Sequence, residues 1–184
     1  MLSRKDSLKV LHKYLKNETL LKHSYAVEAI LGEIARYLKR DEKLWSLTGL
    51  LHDIDYEYTK QEPEKHATIG SEILQEILPE HATNAIKAHN YQYTMQIPQT
   101  SLDKALIAAD AVSGLIIATA LVIPTKKLAD VKITTLMKKY DDHSFAAGCN
   151  RKRIDLCEDL DIPVEKFLEL SLQAMKNISD TLDL

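Results

Sequence analysis

Apolar residues return every three or four positions along nearly the whole chain, the period of a helix buried on one side. The pattern predicts a first helix from about Ser3 to Lys16. A second covers about Leu20 to Lys39, with Ala26, Val27, Ile30, Ile34 and Leu38 on one stripe. Asp41 is placed to cap a third, which carries Leu44, Leu47, Leu50 and Leu51 up to His52-Asp53. Residues 55–62 read as a polar loop. Pro63 then opens a fourth helix reaching about Leu78, and Pro79 a fifth ending near His89-Asn90. Ser101 is the expected cap of a long helix to Ile123, which Pro124 stops. Shorter helices follow over about 127–140, 150–160 and 163–182. No stretch alternates as a strand would. The expected architecture is all-α: a single-domain helical bundle over residues 1–184, of about eight or nine helices.

Composition agrees and narrows the class. The chain has 184 residues, enough for one domain with a real core. Its five glycines and five prolines leave little room for long irregular stretches. The formal net charge of −3 gives no electrostatic case for a nucleic-acid polymer as partner. Cys149 and Cys157 have neither the number nor the spacing of a disulfide framework or zinc knuckle, which fits a reducing cytoplasm. The start, MLSRKDSLKV, lacks the apolar core of a signal peptide. The apolar run from Ala105 to Thr125 is interrupted by Asp110 and dotted with Ser, Thr and Gly. It reads as a buried helix rather than a membrane span.

The informative positions are polar residues standing on apolar faces. Asp110 is the one charged residue between Lys104 and Lys126, in a helix apolar nearly all round. A buried carboxylate must protonate, pair or bind a metal; bonding to Ser113 is the plain alternative. His23 shares the stripe of Ala26, Val27 and Ile30. His66 stands in the same relation to Ile69, Gly70 and Ile73, with Gly70 leaving room one turn on. His89 follows Ala82, Ala85 and Ile86. Any one of these reads as a satisfied core histidine. Three inward histidines, a His-Asp pair and an inward Asp110 all need partners, and one or two metal ions would satisfy them together. The remaining histidines, His12, His81 and His143, read as surface residues.

His23, the adjacent His52-Asp53 and the distant Asp110 resemble the signature of the HD superfamily of metal-dependent phosphohydrolases. His66, in HATIGSEIL, and His89, in IKAHN, resemble the two extra histidines of members that bind two metals. The likeness covers about residues 20–123, with 124–184 as a helical extension packing on that core. It implies a metal site at the centre of the bundle. His23, His52 and Asp110 would hold a first ion and His66 and His89 a second, with Asp53 bridging both. Two divalent ions, Fe, Mn or Zn, would activate a bridging hydroxide for attack on phosphorus, with Asp53 as its bridging ligand. The implied substrate is a nucleotide or other small phosphate ester. The pair is followed by IDYEY, without the lysine of the HD-GYP cyclic-dinucleotide branch, and no Gly-Tyr-Pro occurs. A diiron oxygenase on the same fold and a non-catalytic regulatory module that binds metal are the alternatives.

Two further expectations concern residues around that set. Asp55 falls in the polar loop and reads as a loop carboxylate rather than a support for the ligands. Lys126, Lys127, Lys138, Lys139, Arg151, Lys152 and Arg153 make the C-terminal part the most basic. This reads first as a solvated face balanced by Asp141, Asp142, Asp155 and Glu158. Within it, Arg151 is the candidate phosphate-binding residue, after Asn150 as an N-cap whose next amides could meet an anion.

Overall fold

The structure is a computed structural model that describes residues 2–184. Those residues form helices and connecting turns, with no strand among them. Helix α1 (Arg4–Tyr14) starts at Ser3, whose side chain accepts from the Asp6 amide. Helix α2 (Glu18–Tyr37) starts at Asn17 and α3 (Glu42–Leu51) at Asp41, each with its side chain on the first free amides. Such caps contribute about 1 kcal/mol apiece. The expected loop at 55–62 contains a single turn, α4 (Tyr56–Thr59).

The fourth expected helix is shorter than its pattern. Residues 63–67 are turns, and α5 (Thr68–Leu74) begins only after Ala67, whose φ of 70° lies in the left-handed region. Helix α6 (Glu80–His89) follows Pro79, and one turn, α7 (Tyr91–Thr94), succeeds it. Helix α8 (Ser101–Val122) is capped by Thr100 rather than Ser101: Thr100 and Asp103 exchange side-chain and backbone hydrogen bonds in a capping box. Beyond it lie α9 (Ile133–Asp141), one turn of α10 (Arg151–Ile154) running into a 3₁₀ stretch at Asp155–Leu160, α11 (Val164–Lys176) and α12 (Ser179–Leu182).

Helix α8 runs through the middle, packed by α2, α3 and α6 on the N-terminal side and by α9, α10 and α11 on the C-terminal side. It is long and apolar enough to cross a membrane, with mean hydropathy 2.2, and 61% of its most apolar window is buried in the bundle. Helices α2 and α3 approach closely because residue 49 is glycine. A Cβ there would stand 2.8 Å from the Val27 carbonyl oxygen. That approach brings the end of α3 against α2, and so His52 toward His23.

Candidate metal centre

Each candidate ligand is delivered by a helix end or a helix face. His23 lies one and a half turns into α2, His52 and Asp53 directly follow α3, His89 is the last residue of α6, and Asp110 sits mid-way along α8. His66 departs from expectation: it arrives from the turn before α5, not from a helical stripe. The six side chains converge. His23 Nε2 is 3.3 Å from His52 Nε2, 3.2 Å from Asp110 Oδ1 and 3.5 Å from Asp53 Oδ2. Asp53 Oδ1 is 3.2 Å from His52 Nε2 and 3.3 Å from both His66 Nε2 and His89 Nε2. Two groups result, His23–His52–Asp53 and Asp53–His66–His89, each with donor atoms within 4.8 Å of one another and each able to hold an ion. Asp110 joins the first through its Oδ1.

The outer nitrogens explain why the inner ones face together. His52 Nδ1 donates to the Gly49 carbonyl at 2.8 Å, and His89 Nδ1 to the Ile86 carbonyl. His66 Nδ1 donates to Asp55 Oδ1 at 2.9 Å. His23 Nδ1 donates to Ser113 Oγ at 3.2 Å, whose own proton goes to the Asp110 carbonyl. With every Nδ1 occupied as a donor, the Nε2 lone pairs point inward. The 3.0 Å approach of His66 Nε2 to His89 Nε2 then sets lone pair against lone pair unless positive charge lies between them. Protons or metal ions can supply it, and outer hydrogen bonds of this kind are what orients histidine ligands.

The titration of these groups in the metal-free chain has the same cause. Burial pushes His52 down to about 4. Against burial, hydrogen bonds to Asp53 and Asp55 push His66 up to about 10. His23 is likewise raised by Asp110 against its burial. Burial alone would favour the neutral acids of Asp53 and Asp110. The surrounding histidines, and for Asp110 also Arg153, hold both below the usual carboxylate range. The centre thus carries carboxylate charge balanced by imidazolium, the state a divalent cation replaces.

Several expectations are corrected. Asp55 is no loop carboxylate: it is fully buried and accepts from His66 Nδ1, the Ala67 amide at 2.9 Å and the Gly70 amide at 2.8 Å. Gly70 makes room for Asp55 rather than for His66, since a Cβ at 70 would stand 3.1 Å from the Asp55 carboxyl carbon. The left-handed Ala67 follows from the same requirement, because it turns the chain so that its N–H meets Asp55. Ser113 bonds the Asp110 backbone, not its carboxylate.

Arg151 also departs from expectation. It is buried, and its guanidinium donates to six carbonyls, those of Lys139, Tyr140, Asp142, Phe145, Ala146 and Cys149. It staples the 139–149 segment and has no donor directed at the centre. The Lys152 amide, expected to meet an anion, is taken by Asn150 Oδ1 at 3.0 Å. Arg153 reaches the site instead, with Nη2 donating to Asp110 Oδ2 and to the His89 carbonyl, both at 2.9 Å. Asn90 ties the end of α6 to the turn carrying His66 through the Pro63 and His66 carbonyls, each at 3.0 Å. His12, His81 and His143 are exposed, as expected.

A cavity of about 530 Å³ opens over the centre, walled by Leu20, Tyr56, Lys60, Asn90, Ile117 and Arg153. Tyr56 stands edge-on to His66, with ring centroids 5.2 Å apart. The arrangement combines a cation-binding floor, a wall with aromatic and aliphatic members, and two cationic side chains at the rim.

Comparison with known proteins agrees with this geometry. Residues 20–115 match the HD domain family. The chain is 35% identical over 99 residues to ribonuclease Y of Aquifex aeolicus (strain VF5), covering 53% of this chain and 17% of that protein. Ribonuclease Y of Nitratidesulfovibrio vulgaris (strain DP4) is 34% identical over 99 residues, 53% of this chain and 18% of the relative. That of Clostridium perfringens (strain SM101) is 37% identical over 99 residues, 53% and 19%. The match thus spans less than a fifth of each of these relatives. No solved structure matches the chain. The family match covers the candidate ligands from His23 through Asp110, and it establishes that this chain belongs to the HD domain family.

Proposed function

We propose that the chain is a metal-dependent phosphohydrolase that cleaves a nucleotide or another small phosphate ester at a centre of two divalent ions. One observation carries the reading: two donor groups share Asp53, whose Oδ1 faces His52, His66 and His89 while its Oδ2 faces His23. Oδ1 thus meets members of both donor groups and Oδ2 adds His23, and a carboxylate common to both groups is suited to bridge two ions. The imidazole and carboxylate donors fit Fe, Mn or Zn. Ions held there supply Lewis acidity and ionise water near neutral pH.

The chain's own residues do the remaining work. His23, His52 and Asp110 would hold one ion and His66 and His89 the other, with Asp53 between them. Outer bonds from Gly49, Ile86, Asp55 and Ser113 fix each ring, so the donors need no reorganisation when a substrate arrives. The cavity seats the ester, and the cationic rim offsets phosphate charge. The ribonuclease Y relatives favour a phosphodiester among the candidate esters. A diiron oxygenase would use the same donors, but the cationic rim at Lys60 and Arg153 suits phosphate better.

The test is hydrolysis of p-nitrophenyl phosphate, bis(p-nitrophenyl) phosphate and a nucleotide panel by chain loaded with Mn, Fe or Zn, alongside elemental analysis. Turnover that needs metal, with a metal-to-protein ratio near two, is expected. No turnover with any of the three metals on any phosphate ester would sink the reading.

A further inference from the structure

We propose that Arg153 docks the phosphoryl oxygens of the substrate, a recognition group supplied from beyond the stretch that the HD domain family matches. The inference rests on the phosphohydrolase reading above. Arg153 lies 38 positions past residue 115, where that match ends (153 − 115).

Its placement is rigid for a local reason. Arg151 gathers six carbonyls of the preceding segment, and Asn150 caps the turn that follows. Two residues on, the opposite side of that turn faces α8, and Arg153 extends from it to Asp110. Asp110 stands between two partners: Oδ1 faces His23 at 3.2 Å and Oδ2 faces Arg153 Nη2 at 2.9 Å. The guanidinium therefore meets the carboxylate oxygen turned away from His23, and it would lie close to a phosphoryl group bound at the first donor group.

The guanidinium is also under-satisfied. Nη2 serves Asp110 and the His89 carbonyl, while the buried Nε–H has no acceptor among the described residues. An unpaired buried donor is retained at a cost, and it marks a place where a ligand or water completes the bonding. Arg153 borders the cavity over the centre and a neighbouring one of about 420 Å³ beside Gln92 and Cys149, so an anion has access from either side. When an ion draws Asp110 charge to itself, the pairing with Arg153 weakens and the guanidinium's charge becomes available to phosphate.

The test uses the full chain loaded with metal, in the parental form and as Arg153→Met, Arg153→Lys and Arg153→Ala. Binding of inorganic phosphate is measured by calorimetry, hydrolysis of bis(p-nitrophenyl) phosphate by initial rates, and ion content by elemental analysis. The expected result is a phosphate Kd weakened about tenfold or more in Arg153→Met and less in Arg153→Lys, with parental ion content. KM should rise with Kd, and millimolar guanidinium should restore part of the loss in Arg153→Ala. If Arg153→Met does not fold, Arg153→Lys decides by the same Kd. An unchanged Kd overturns the proposal, as does a loss repaired by extra metal alone, which would make Arg153 a support for Asp110 only. A metal-loaded parental chain that binds no phosphate also overturns it. A parental chain that binds phosphate through Arg153 yet hydrolyses no ester supports docking and retracts the phosphohydrolase reading instead.

Discussion

The two halves of the centre are built differently. On one side His66 and His89 are buried, and His66 is braced by a carboxylate that is itself fully enclosed and bonded to two backbone amides. On the other, His23 and Asp110 keep about a fifth of their side-chain surface open, and their supports are a hydroxyl and the rim residue Arg153. The closed half has its geometry set by the fold before any ion arrives. Both halves line the cavity, and the open half presents more of its surface to it. A residue common to both donor groups, Asp53, joins the rigid floor to the more accessible face.

The largest effect should come from breaking what the halves share. Asp53→Asn removes the common carboxylate charge. Ion content should fall at both positions, and phosphate-ester turnover by roughly three orders of magnitude or more, since the ions' charge stabilisation goes with it. Elemental analysis beside initial rates checks this, and an Asp53→Asn chain that keeps two ions would remove the bridging assignment.

Next is a blow to the closed half alone. Asp55→Ala leaves His66 Nδ1 and the Ala67 and Gly70 amides without an acceptor in a buried place. A loss of about 3–5 kcal/mol in unfolding free energy is expected. Urea titration measures it, and the ion ratio should fall from near two toward one as the first donor group survives.

Protons sharpen the comparison less severely. In the metal-free chain His66, at about 10, carries a proton at neutral pH, and His23 is shifted the same way, while His52, at about 4, is already neutral. Loading should therefore release a proton from His66 but none from His52. Affinity should weaken as pH falls, by about tenfold per pH unit for each proton displaced. Calorimetry in buffers of different ionisation enthalpy counts them, and a proton-neutral binding reaction would contradict the assignment. The smallest change is expected on the open side. Ser113→Ala removes the Nδ1 partner of His23, and ion affinity there should drop by about tenfold, the lower end for an outer ligand contact, with stability nearly parental. A loss as deep as that of Asp55→Ala would erase the distinction between the halves.

Much of this was legible along the chain and some was not, for identifiable reasons. His23, His89 and Asp110 announce themselves because a polar residue on an apolar stripe at period 3.6 has to be explained. The His52-Asp53 pair is visible because it ends such a stripe. Asp55 is hidden: its run of polar neighbours looks like a loop, and only the return of residues 66–70 over it reveals the burial. His66 reads as helical because its spacing to Ile69 and Ile73 is helical, whereas the Asp55 network holds the chain in turns until Ala67. Arg151 and Arg153 stand two apart on one turn and so face different ways. Composition puts both in a basic run without saying which faces inward to carbonyls and which reaches Asp110.

The sequence by itself determined the all-α class and most of the helices, and it singled out the six candidate donors, because helical periodicity and the cost of burying unpaired polar groups are local properties of the chain. The tertiary structure alone decided how those donors pair into two groups around Asp53, that Asp55 stands behind His66, and that Arg153 rather than Arg151 meets the centre. Those facts depend on distances between residues far apart in the chain, which appear only when α8 is enclosed by its neighbours.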